Sequence, residues 1–303
     1  MKFSVFGIAM LLLAGTAAPA ADINETYQKL QQAVAQKDAT QVKKLALEIY
    51  PQVTELLATP APAAAEDKEA WTSQMAWGKS VAAYAEYSLS ATAVVSEPAT
   101  TVDLIATLEG MNPKSKYLDE AYAPYFLALN KTGASAKVPA IAEKALQNFP
   151  ENDDLLLVLT DAAMAKQQSD RAQGYANRLV AAVGRHSKPE GMPAADWERK
   201  KTAALSHGYW IAGVIAGEKN QYAAADRNLR AALPLIQGNP SMMGPALFYL
   251  GVANFNIGKM TANKAKVLEA AKFSDQAAGI AGPYQDQAWR NAGVIKQEAA
   301  KMR

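Results

Sequence analysis

Two histidines, one Gly-Lys-Ser triplet and one run of acids are the residues of this sequence whose types and spacing could do chemistry. His207 stands in "SHGYWIAG", with Ile211 four residues on, so no second ligand follows one helical turn away. His186, in "GRHSKPEG", has Glu190 at that spacing, but Pro189 between them argues against the helix that would align the pair. Neither fits the H-E-x-x-H pattern of a catalytic zinc site, and a chain without cysteine has no Cys/His set for structural zinc. "SQMAWGKS" (73–80) ends like a phosphate-binding loop, but that loop needs glycine five residues before Gly78, where Ser73 stands. No G-x-S-x-G elbow, S-x-x-K pair or Rossmann glycine run is present. The one catalytic pairing left to consider is His207 with an acid such as Asp161, which needs both within hydrogen-bond reach in a pocket.

The acids of "NFPENDDLLLVL" (148–159) pose a choice between a calcium loop and a helix start. Counted from Asp153, the stretch reads "DDLLLVLTDAAM", apolar where an EF-hand loop needs oxygen ligands. A helix start explains it better. Asn152 or Asp153 caps the helix through a side-chain oxygen, and Glu151, Asp153 and Asp154 sit near the positive end of its dipole. No metal or cofactor is expected.

Residues 1–20 have the form of a signal peptide, with Lys2 ahead of an apolar stretch at 3–14 and small residues Ala18 and Ala20 before the cut. The chain is therefore expected to be periplasmic or secreted, without a transmembrane segment after cleavage. The absence of cysteine excludes a lipoprotein anchor and disulfides. Lys and Arg number 31 against 29 Asp and Glu, a balance that leaves no basic surplus for nucleic acid. The last 45 residues are mildly basic and read as a solvated face, with a membrane-surface role as the alternative. "NET" (24–26) and "NKT" (130–132) are formal glycosylation sequons.

Positioning these residues falls to helices. Alanine dominates, strict alternation is scarce, and a 3.6-residue apolar period recurs in "NETYQKLQQAVAQ" and "ATQVKKLALEIYPQVTELL". An N-terminal helical pair is predicted over 21–57, a Pro/Ala-rich linker over 58–68, and further helices over 69–303. Within the last span, a long helix over 69–95 precedes a second that stops at Gly110. Helices then end at "GMNPKS" (110–115), "NFPEND" (148–153) and "GNPSMMG" (238–244), because proline is tolerated only near a helix start.

Residues 119–152 and 153–186 align at a period of 34 as two helices each, with a third unit at 206–239 and a fourth opening at "ALFYLGVANFNIGK". Gly133 and Asn220 mark turns inside units; Gly213 and Gly251 let a first helix approach its partner, as Ala225 and Ala232 do from the second. With "YWIAGVIAGEKNQYAAADRNLRAAL", these features resemble the tetratricopeptide repeat family over roughly 119–278. Phe126, Val138 and Asn263 depart from the family's small residues, 187–205 is an insertion, and 69–110 reads as a degenerate unit. The resemblance implies an all-α solenoid of stacked helical hairpins; a different all-α solenoid or bundle is the alternative.

In that family the first helices line a concave face that holds extended peptides or partner helices. Carried over by position, that face includes Asn130, Asp161, His207, Trp210, Phe248, Tyr249 and Phe255, with Met164 beside them. Aromatic anchors flanked by charge suit a binding hot spot; the alternative is that Trp210, Phe248 and Tyr249 are inter-repeat core. The resulting expectation is a non-catalytic envelope scaffold for a protein or peptide partner. Its rivals are an envelope enzyme using His207 with Asp161, and a carrier with an apolar cavity among helices.

Overall fold

The computed structural model describes residues 17–189 and 191–302; the cleavable signal read at 1–20 lies almost wholly outside the described residues, as does Glu190. The described chain is all-helical and contains no strand. It divides into two compact units, Met1–Lys137 and Val138–Arg303. The division falls between the two helices of the repeat unit read at 119–152.

The first unit contains α1 (Ala17–Gln36), α2 (Ala39–Leu57), α3 (Lys68–Val94), α4 (Pro98–Met111) and α5 (Lys116–Lys131). Each packs on its chain neighbour, and α1 on α3, α2 on α4 and α3 on α5 pack in addition. Residues 58–67 carry no helix, yet α2 and α3 on either side of them lie together. Gly78 lies inside α3, where a Cβ would stand 3.2 Å from Leu57, so "WGKS" forms helix packing and not a phosphate loop. Gly110 does not stop α4, which runs on to Met111 and is capped at Asn112. The Asn112 amide donates to the buried Glu86 carboxylate at 2.8 Å, which also accepts from the Tyr50 hydroxyl at 3.1 Å. Burial, with the Glu86 charge beside it, pushes the Tyr50 phenol up to about 12. That anchoring sets where the helix ends.

The second unit contains α6 (Val138–Ala145), α7 (Asp153–Ala165), α8 (Ser169–Arg185), α9 (Ala194–Glu218), α10 (Tyr222–Ala232), α11 (Pro240–Met260), α12 (Lys264–Ala278) and α13 (Gln285–Lys301). Neighbours in sequence pack together; α7, α9, α11 and α13 also pack in that order, next-but-one along the chain. Pro113, Pro150 and Pro240 all fall between helices or at a helix start, as their sequence contexts predict. Pro51, Pro124 and Pro245 stand inside helices. Tertiary packing overrides the local preference there.

One turn recurs. After α1, α5, α7, α9 and α11 the chain enters the left-handed region at Lys37, Gly133, Gln167, Asn220 and Ala262, with φ between 48° and 76°. The next residue's N–H then donates back to a carbonyl five residues earlier: Asp38 to Ala33, Ala134 to Leu129, Gln168 to Ala163, Gln221 to Ala216 and Asn263 to Gly258, at 2.8–3.0 Å. This is the Schellman termination, and only Gly133 uses the residue that adopts it without strain. Gln167 follows Gly133 by the 34 residues of the sequence period.

Small residues at the helix contacts allow close approach. A Cβ on Gly213 of α9 would stand 2.6 Å from the Leu229 side chain of α10, and one on Gly258 of α11 2.7 Å from Val267 of α12. Between these layers lies a polar knot. Arg230 grips Glu269 through two bonds of 2.8 and 2.7 Å, donates to Asp226 at 2.7 Å, and reaches the fully buried Asn254 at 3.0 Å. It ties α10, α11 and α12 together with every partner satisfied.

Two outcomes follow from this packing. Ala262→Gly relieves a left-handed alanine and raises stability by about 1 kcal/mol, measured by urea denaturation. The hydrogen bond from Arg230 holds the Glu269 carboxyl below its ordinary value against the opposing effect of burial. Its stabilisation is present above the unfolded carboxylate pKa and disappears as pH falls through the lower folded value. Glu269→Gln therefore unfolds more easily than the parent at pH 7, with the gap closing as pH falls below the ordinary carboxylate range; a gap constant with pH would refute the linkage.

Candidate functional site

The acids that opened the sequence question sit at a helix start. Asn152 is the cap: its side-chain oxygen accepts the Leu155 N–H at 2.8 Å, while Asp153 is the first residue of α7. Glu151 pairs with Arg185 at 2.7 Å. Asp153 and Asp154 receive Lys200, whose Nζ stands 3.3 and 2.8 Å from their carboxylates. Burial works against the Lys200 ammonium, but Asp154 and Asp153 outweigh it and hold its pKa above the ordinary lysine value.

Lys200 was not legible as a partner. It lies in the insertion at 187–205, which turns out to carry the first three turns of α9 together with the buried Trp197. His207, the second residue of the unit read at 206–239, is therefore mid-helix. Seven residues separate Lys200 from His207 on α9, as seven separate Asp154 from Asp161 on α7. Two turns of each helix, about 10 Å, thus carry one cross-helix pair to the next. His207 Nε2 lies 2.5 Å from Asp161 Oδ1, with the two side chains 33% and 58% exposed. The seam between α7 and α9 sets acids of α7 against Lys200 and His207 of α9, and is more open to solvent at the Asp161 end.

The next seam, between α9 and α11, is aromatic. Trp210 is half-buried and donates its indole N–H to the Met242 carbonyl at 2.8 Å. Gly217 leaves room for the Tyr249 ring, which a Cβ would meet at 2.5 Å. Phe248, Tyr249 and Tyr284 form a cluster with ring centroids 4.8–5.6 Å apart. Burial, then the Tyr284 hydroxyl, pushes the Tyr249 phenol well above its ordinary value. Phe248 is only 5% exposed and packs with Leu247, Ala277 and Ala288, so its place as a groove anchor is corrected to core. The reason is the small Ala288 on α13, which lets that helix close over the ring. Phe255, further along α11, is half-buried against the cluster of Val267, Ala270 and Ile295. Asn130 is exposed near the end of α5 in the first unit.

Of the residues carried over by position, the structure brings Asp161 to His207, and Trp210 and Tyr249 to the neighbouring seam, while Phe248 packs toward α12 and α13. Met164, one turn past Asp161, is exposed. Among the described residues no group of three or more His, Asp or Glu gathers closely enough to hold a metal ion. No described helix is long and apolar enough to cross a membrane. A surface depression of about 580 Å³ lies over the α9–α10 and α11–α12 turns, lined by Tyr222, Ile257 and Met260. Met260 is almost wholly exposed there, so the depression is an open shelf and not an enclosed cavity. Compared with known proteins, the chain matches no protein-family model and has no significant match among curated proteins.

The two seam pairs differ in burial, and this sets their energetic ranks. Lys200→Met leaves the nearly buried Asp153 carboxylate without its cation and is expected to destabilise by about 1–3 kcal/mol. Asp161→Ala breaks a solvent-open pair and is expected to cost under about 1 kcal/mol. Chemical denaturation of both variants at pH 7 checks the order.

Proposed function

We propose that this chain is an exported, non-catalytic scaffold of the tetratricopeptide-like kind, built as a solenoid of helical hairpins, which binds an extended protein or peptide segment in the cell envelope. The observation that carries the reading is the recurrence of one Schellman turn inside successive helix pairs, together with the next-but-one packing of α7, α9, α11 and α13. Pairs joined by the same turn and stacked through their first helices present those helices side by side. Rigid stacking keeps the ordering cost of binding low, because the surface exists before the partner arrives.

On that surface Asp161, His207 and Met164 are the exposed polar and apolar contacts, backed by Trp210 and Tyr249. The form of residues 1–20 supports export. The Asp161–His207 contact is also the one observation that favours an enzyme, since a base needs an acid to orient it. Both side chains lie on an open helix surface, where water is not excluded and a hydrogen bond between helices suffices to explain them.

A capture experiment from envelope extract tests the scaffold reading, with Asp161→Lys and Met164→Glu as controls. Both positions are exposed, so both variants are expected to keep the parent's circular dichroism, with Asp161→Lys melting slightly lower for the lost His207 contact. The reading expects a partner held by the parent and reduced at least tenfold by each variant. Equal capture by all three baits, or hydrolysis of an added substrate that His207→Ala abolishes, would turn the argument against it.

A further inference from the structure

The outer face of α13 carries a feature that the groove reading does not use. Ala288, Ala292, Ile295 and Ala299 face the core, and a flank of the helix turned away from them holds Trp289, 72% exposed. An indole is the most expensive side chain to leave in water, and aromatic residues of this kind anchor protein interfaces. One turn further on stands Gly293, where a Cβ would meet no atom within 4 Å. Trp289 and Gly293 share this face with Asp286, Lys296 and Gln297. A projecting ring therefore lies one turn from an empty site on the same surface.

We propose that this face is the interface between two copies of the chain, with α13 packed antiparallel against α13 of the second copy about a two-fold axis at residue 291. In that register Trp289 covers Gly293 of the second copy, because both residues lie two positions from the axis. Asp286 and Lys296 lie five positions from it on either side, so each carboxylate meets an ammonium of the other copy. Gln285 and Gln297, six positions away, pair as amides. No like charges share a level: Arg290, Glu298 and Lys301 stand level with the uncharged Ala292, Tyr284 and Ala281 of the second copy. Three complementary pairs thus share one pivot, which a self-complementary, isologous surface requires.

Lys296 pairs with Asp275 in the isolated chain at 2.8 Å, an exposed bond that leaves its remaining protons free for a second carboxylate. A lipid surface fits less well. The face has one aromatic anchor, and Asp286 stands within the row where a basic surplus would be needed. Antiparallel contact of one 17-residue helix from each copy spans about 25 Å, which places the interface at the small end of specific contacts.

Sedimentation velocity on the purified protein over a concentration series is the test. The parent is expected to shift from monomer to dimer, and Trp289→Ala and Gly293→Arg to remain monomeric at every concentration. Both sites are exposed, so unchanged circular dichroism and melting of the monomers separate loss of association from misfolding. Asp286→Lys weakens the dimer at least tenfold, and Asp286→Lys combined with Lys296→Asp restores it. A parent that stays monomeric throughout, a dimer that survives Trp289→Ala, or a double variant that fails to restore association overturns the proposal. So does an emission shift to the blue that appears only when phosphatidylglycerol vesicles are added and that Trp289→Phe removes, which assigns the face to lipid. The capture test uses α7, so the two readings fail independently.

Discussion

Close approach of helices is the constraint on which this structure depends. The chain has no cysteine, so no disulfide contributes to its stability. Alanine and glycine at the contacts let backbones come near enough for the larger Leu, Ile and Val side chains to interlock. In the second unit Gly213 receives Leu229 and Gly258 receives Val267, while Ala225, Ala232, Ala246 and Ala253 are fully buried between them. Larger residues at these points would force the layers apart and break contacts along whole helices, because interiors at crystal-like density do not deform locally.

The recurring turn is the second half of that constraint. A helix that must double back tightly needs one left-handed residue and a carbonyl bonded five residues earlier. Lys37, Gln167, Asn220 and Ala262 accept this conformation although none is glycine. The strain of about 1 kcal/mol at each is small beside the burial that the hairpin permits. The Arg230 knot then pins three helices in one register. Its charge is half-shielded and fully bonded, so it specifies which helices meet as well as holding them.

Much of the seam chemistry was legible in sequence, but unevenly. Asn152 stands before an apolar run and after a proline, which is enough to read a helix start. Asp161 and His207 could be placed on first helices, yet nothing local said they would touch, since 46 residues separate them. Lys200 is illegible as a partner because its segment breaks the 34-residue period and reads as an insertion. Phe248 had the look of a binding anchor because an aromatic residue at a helical position reads the same whether it faces a groove or a neighbouring helix. What decided it was Ala288 on α13, forty residues on.

By itself the sequence determined the all-helical class, the main helix joints at Pro113, Pro150 and Pro240, and the absence of cysteine chemistry. These are local properties: period, turn chemistry and composition act within a few residues and need no partner to be read. The tertiary structure decided which side chains meet across helices. It carried α4 past Gly110 by tying Asn112 to Glu86, extended α9 backward to deliver Lys200, and turned Phe248 inward. It also left Trp289 in water. Such outcomes depend on which surfaces compete to be buried, and that competition involves the whole chain.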